Sequence, residues 1–211
     1  ILPIDEITEY AKKYGAVVAV DGSQALGLVP VKLKDNGIDF YVFAGHKTLY
    51  GPFGVGGFIS KGNITLKPFL AGGTGSDSLN PDMPGQMPGM LEPGSQNIVA
   101  IAGLHAALAD GCDRKTELTR ERELAEHLSR HLEEIDGVFI YFPKDKEKCT
   151  GIVSFSIDGY RADEVGMLLD EDYHIAVRTG YQCAPLIHKY LKDEKYGGVV
   201  RVGIGRFTKK S

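Results

Sequence analysis

Two short apolar runs, each ending on ionisable residues, constrain this chain more than any other feature. Residues 16–20, three valines and two alanines, lead into Asp21, and residues 39–44 lead into Gly45-His46-Lys47. An unbroken run of that length suits a strand buried on both faces, as parallel sheets require. A third run, residues 55–60, follows the turn chemistry of Gly51-Pro52-Phe53-Gly54 and is expected to pair antiparallel beside the second. Upstream, residues 3–15 predict a helix, with Asp5 as its cap, Ile7, Ala11 and Tyr14 on one face, and Gly15 as its stop. A helix followed by strands that deliver polar residues at their ends predicts an α/β sheet, and open α/β sheets bind ligands at such strand ends.

Beyond residue 70 the pattern changes. Residues 71–97 alternate Gly72, Gly73, Gly75, Gly85, Gly89 and Gly94 with Pro81, Pro84, Pro88 and Pro93. A loop of that length in a compact domain is either functional or a solvated excursion. Residues 98–109 are nearly all apolar and predict a buried helix. Residues 114–135 predict a long one, with Leu118, Leu124, Leu128, Leu132 and Ile135 at helical spacing and the mixed charges forming a solvated face. The remainder predicts a small α+β unit: strands over 138–142, 152–157, 175–177 and 199–204, a helix over 161–170, and a short helix through Tyr190.

Composition narrows what such a chain could do. With 43% hydrophobic and 25% charged residues over 211 positions, it is ordinary for a globular protein. No apolar run is long enough to span a bilayer, so no membrane partner is expected. A formal net charge of −4 gives no basic field to hold a phosphate backbone, so nucleic acid is not expected either. Cys112, Cys149 and Cys183 are widely spaced and form no C-x-x-C pair, which points to a reducing cytoplasm, no metal site, and one thiol kept for chemistry. Residue 1 is Ile, and a fragment of a longer gene product is expected.

Three places could carry chemistry. Asp21 and Lys47, taken singly, are explained as polar residues leaving a core at strand ends; their glycine-rich surroundings favour a ligand site. Cys183 lies among glycine, proline and polar residues close to Arg178, a setting that favours a thiolate. Cys112, opening a charged helix, and Cys149, beside a lysine-rich turn, read instead as inert buried thiols. Arg201 interrupts the apolar run Val199-Val200-Arg201-Val202 and should meet a carboxylate, either within the protein or on a ligand.

Four motifs in order resemble the class V, fold-type I pyridoxal-phosphate (PLP) enzymes, and within them the cysteine desulfurase and selenocysteine lyase group: D-G-S-Q-A at 21–25, G-H-K at 45–47 with G-P-F-G-V-G at 51–56, E-P-G-S-Q-N at 92–97, and V-R-T-G-Y-Q-C-A at 177–184, the last similar to the short-loop, SufS-like branch. The resemblance runs over nearly the whole chain. Its departures are Ala44, where the family often has serine, and a stretch after Lys47 one residue longer than in well-known members.

The resemblance implies an α/β PLP-dependent transferase fold of type I that lacks the family's N-terminal half, so that the isolated fragment is expected to be inactive. Residues 1–112 would be the C-terminal part of the PLP-binding large domain and residues 113–211 the small α+β C-terminal domain. It implies Asp21 beside the cofactor's ring nitrogen, Gln24 at its phenolate oxygen, His46 and Ser95 toward phosphate, Ser95 that of a neighbouring subunit, and Lys47 as the anchoring amine. It implies Cys183 as the nucleophile that takes sulfur, and Arg201 with Arg178 as binders of the substrate carboxylate. The implied activity is removal of sulfur or selenium from cysteine or selenocysteine, leaving alanine and an enzyme persulfide, in a homodimer that serves a sulfur acceptor in iron–sulfur assembly. The rival readings are another class V transaminase or lyase in which Cys183 is idle, and a non-catalytic scaffold or dimerisation module.

Overall fold

The computed structural model describes residues 1–75, 79–110 and 113–210, with the side chain of Arg114 not described. The chain divides into two compact units, Pro3–Arg114 and the residues from Lys115 onward together with Ile1–Leu2.

In the first unit, helix α1 (Ile4–Lys13) precedes strands β1 (Ala19–Asp21), β2 (Phe40–Ala44) and β3 (Gly56–Ser60), and helix α2 (Ile98–Ala109) follows. The sheet order is β1-β2-β3: β1 pairs parallel to β2 with Asp21 opposite Val42, and β3 pairs antiparallel to β2 with Gly56 opposite Ala44. The antiparallel neighbour and the extent of α2 are as the sequence predicts.

Several local expectations fail for identifiable reasons. Asp5 lies in the first turn of α1, but the N-cap is Pro3 and no side chain caps it. The inward position of α1 is Thr8, fully buried, whereas Ile7 and Tyr14 are exposed. What turns the helix that way is Lys12, which ion-pairs with the buried Asp39 while Asp39 also accepts the Val18 N–H at 2.7 Å. Strand β1 is shorter than its apolar run and is not buried: its burial alternates exposed and half-buried, and Val17, just before it, is 60% exposed. Helix α2 is apolar all round but buries only Ala100 and Leu104, with Ile98 and Val99 exposed. Residues 71–97 contain, among those described, no strand and no α-helix, only a single 3-10 turn at Gly89–Leu91.

The second unit begins with helix α3 (Arg114–Glu133), continues through β4 (Val138–Tyr141), β5 (Ile152–Ile157), helix α4 (Ala162–Tyr173), β6 (Arg178–Gly180) and helix α5 (Ile187–Leu191), and ends with β7 (Val199–Gly203). Its sheet has the order β4-β5-β7-β6, antiparallel throughout. Phe155, Ala162, Val165 and Val200 form the core between sheet and α4, joined by Leu132 of α3. The strand expected at 175–177 lies instead at Arg178–Gly180, because pairing with β7 selects the residues that can lie opposite Val199, Val200 and Arg201. Glycine is required at 198: its φ is +99°, and a Cβ there would stand 2.5 Å from the carbonyl carbon of Gly180. None of the described helices is long and apolar enough to cross a membrane.

Candidate functional site

The residues assigned to the cofactor all lie in the first unit, and those assigned to sulfur and substrate all lie in the second. Parallel pairing of β1 with β2 brings Asp21 and the Gly45-His46-Lys47 turn to the same, C-terminal, end of neighbouring strands. Asp21 is held below the usual carboxylate range by the Ser23 hydroxyl, by the Ser23 N–H at 2.9 Å and by attraction to Lys47, so it is an anion at neutral pH. The chain leaves Asp21 through Gly22, whose N–H donates to the Val42 carbonyl at 2.8 Å. A Cβ at Gly22 would overlap the ring of the buried Tyr41, so with that ring in place only glycine fits there. Burial and the charge of Asp21 push the Tyr41 hydroxyl up.

Lys47 is exposed, in a turn fixed from below: Thr48 Oγ1 donates to the Leu26 carbonyl at 2.7 Å, and Leu49 is 4% exposed. His46 is exposed with its ring stacked on Phe53, centroids 4.7 Å apart. Gln24 is exposed just beyond Asp21. Ser95 is exposed after Gly94, whose N–H donates to the Gly73 carbonyl at 2.6 Å and so clasps the two ends of the glycine-rich loop together.

In the second unit Cys183 is exposed. The segment 178–185 is not one loop, since its first three residues are β6. The thiol lies in a tight turn, Tyr181-Gln182-Cys183-Ala184, closed by the Ala184 N–H to the Tyr181 carbonyl at 3.3 Å. Cys149 is 3% exposed and its thiol is pushed up by burial, the setting of an inert sulfur. Cys112 lies outside the described residues.

Arg201 finds no carboxylate partner among the described residues. It lies directly opposite Arg178 on β6 and Ser154 on β5, and Ser154 lies opposite Tyr141 on β4. Directly opposed residues share a face, and Val200 and Val202 occupy the core face, so the arginines line the other one. Among the described residues no carboxylate is ion-paired with either guanidinium. Like charges directly across strands destabilise a sheet, and two forked donors in a row are complementary to an anion.

The aminotransferase class-V family profile matches residues 1–211. The chain belongs to the class-V aminotransferases. A Mycobacterium leprae protein named "Probable cysteine desulfurase 2" is 34% identical over 195 residues, covering 90% of this chain and 46% of that protein. A cysteine desulfurase of Yersinia pestis is 36% identical over 200 residues, with coverage of 89% and 47%. The apo cysteine desulfurase of Thermococcus onnurineus NA1 has a similar structure, with a TM-score of 0.85 and 30% identity over 98% of this chain and 52% of that one. This class-V aminotransferase chain thus spans about half the length of the relatives it matches, and the type I fold implied by its motifs is the fold it has.

Sequence reading of this class-V aminotransferase passes over three interactions, two in the first unit and one in the second. Tyr41 beneath Gly22 is one, the Lys12–Asp39 pair another. The third is His188, whose ring contacts Asp193 and the Tyr181 carbonyl at the cysteine turn. Its one sequence signal is a histidine inside a very short helix with an aspartate just after it, which does not reveal that both are buried.

Proposed function

We propose that the protein to which this chain belongs is a PLP-dependent cysteine desulfurase: it takes sulfur from cysteine, or selenium from selenocysteine, releases alanine, and holds the sulfur as a persulfide on Cys183. The observation that carries the reading is an exposed thiol on a tight turn, in a chain whose curated relatives are named cysteine desulfurases. A transaminase or a scaffold needs no such thiol.

The residues present fit PLP. Asp21 is an ionised carboxylate suited to a protonated ring nitrogen, Lys47 an exposed amine at the neighbouring strand end, and Gln24, His46 and Ser95 exposed donors for the phenolate and phosphate oxygens. When bound, PLP supplies an electron sink that labilises bonds at the substrate's α- and β-carbons. Lys47 would anchor the cofactor and then move protons at those carbons. Arg201, with Arg178 opposite it, would hold the substrate carboxylate. The Cys183 thiolate attacks the substrate sulfur; a sulfur–sulfur bond forms, the carbon–sulfur bond breaks, and the carbon takes up a proton, giving alanine. Substrate thiol and enzyme thiol together balance alanine and enzyme persulfide, with no outside oxidant. We further propose a homodimer, in which Ser95 serves the partner's phosphate, and a protein that accepts the sulfur.

The test is the Cys183→Ser variant of the full-length protein. It should lose sulfide release from cysteine while keeping the absorbance of the bound cofactor, because Cys183 is not among the residues that would hold PLP. Undiminished sulfide and alanine production would refute the reading. Selenium release from selenocysteine should be measured in parallel.

A further inference from the structure

His188 and Asp193 form a buried polar pair that the proposed chemistry does not use. His188 is 3% exposed and Asp193 fully buried. Nδ1 of His188 lies 2.8 Å from Asp193 Oδ2, and Nε2 lies 3.0 Å from the Tyr181 carbonyl oxygen. That carbonyl is the one that closes the turn in which Cys183 is third, so its two lone pairs are taken by the Ala184 N–H and by the imidazole. The Tyr181 ring also stands edge-on to the imidazole, centroids 4.9 Å apart. Gln182, next to the thiol, is held at φ +57°, a strained conformation for a non-glycine residue that persists only where its surroundings enforce it.

We propose that the His188–Asp193 pair positions Cys183: the imidazole fixes the Tyr181 carbonyl, and with it the turn, while Asp193 fixes the imidazole. This rests on the reading of Cys183 as the sulfur-accepting thiol.

Hydrogen-bond stoichiometry shows how specific the arrangement is. Both ring nitrogens face acceptors, a carboxylate and a carbonyl, yet a neutral imidazole carries one N–H. An Nε2–H given to the Tyr181 carbonyl leaves Nδ1 to be matched by Asp193 Oδ2. Among the described residues the other oxygen of Asp193 has no hydrogen-bond partner, so this carboxylate acts through its contact with the ring. Misplacing a reacting atom by about 1 Å can cost roughly a hundredfold in rate, which is the scale of effect such a clamp controls.

The test uses the full-length protein with hydrogen exchange of the peptide covering residues 178–188, sulfide-release kinetics, and cofactor absorbance. His188→Ala should speed exchange in the turn at least about tenfold and lower kcat roughly thirtyfold, with KM for cysteine within about twofold and absorbance unchanged. His188→Gln, whose side-chain N–H can reach the same carbonyl, should restore protection and most of kcat. Asp193→Asn should keep the clamp, because its amide N–H can donate to Nδ1 and leave Nε2–H for Tyr181; Asp193→Ala should lose it. Wild-type exchange in His188→Ala overturns the proposal. So does equal impairment of the Gln and Ala variants, or of the Asn and Ala variants, and these two contrasts decide it if His188→Ala does not fold. A Cys183→Ser variant that still releases sulfide would sink the role of the thiol, while the exchange data still decide whether the clamp exists.

Discussion

Around Lys47, bare backbone is packed against side chains: Gly22 lies on the ring of Tyr41, and Thr48 and Leu49 anchor the turn from below. Around Cys183, backbone meets backbone where Gly198 touches Gly180, and a buried histidine does the holding. The first arrangement can be relieved by trimming a neighbouring side chain; the second cannot. The lysine turn should therefore tolerate paired changes, and the cysteine turn should depend on single residues.

The largest expected effects break this comparison most directly. Gly198→Ala and Gly22→Ala should each destabilise their own unit by about 3 kcal/mol or more, through overpacking and, at 198, through left-handed strain as well. Adding Tyr41→Leu should recover a large part of the loss from Gly22→Ala, whereas no side-chain trimming should rescue Gly198→Ala. Denaturant midpoints of the single and double variants check this, and strict additivity at 22 and 41 would contradict it.

Next in size is the arginine row. If Arg201 holds a substrate carboxylate, Arg201→Gln should raise KM for cysteine about thirtyfold, roughly 2 kcal/mol, with a smaller change in kcat. It should also stabilise the free protein slightly by removing the like charge opposite Arg178. Unfolding curves and steady-state kinetics of one variant read both effects, and an unchanged KM removes Arg201 from the substrate site.

The two units should also respond to pH in opposite directions. In the first, Asp39 is held below its usual value of 3.8 by the Lys12 ammonium and the Val18 N–H, so its contribution is present above that pH and lost as pH falls. In the second, burial raises Glu121, 3% exposed, from 4.5 to about 7, so the stability tied to its protonated form is lost as pH rises between those values. Glu121→Gln should flatten that loss and gain roughly 1.5 kcal/mol at pH 8. Hydrogen exchange read separately on 40–44 and 152–157 distinguishes the units.

The contrast between the units also explains how much was legible beforehand. Residues 98–109 and 152–157 read as the elements they form, because strong apolar patterning decides both, and the four motifs point to the family that the profile match shows. Cover was not legible: residues 16–20 and α2 are apolar enough to be buried, yet Val17, Ile98 and Val99 are exposed, because burial is set by what packs on an element and not by its own pattern. Tertiary polar choices were hidden too. Lys12 turns α1 so that Thr8, not Ile7, faces inward, and pairing with β7 moves β6 from 175–177 to Arg178–Gly180. The Asp21 and Lys47 segments were noticed because strand ends and glycines mark them; His188 and Asp193 were not, because burial of a polar pair leaves no periodic trace.

Mass spectrometry of the full-length protein after incubation with cysteine, without reductant, reads out where the sulfur resides. Residence on Cys183 gives one extra sulfur atom on the peptide carrying Cys183 and none on those carrying Cys149 or Cys112. Extra sulfur on either of those and never on Cys183 would contradict it.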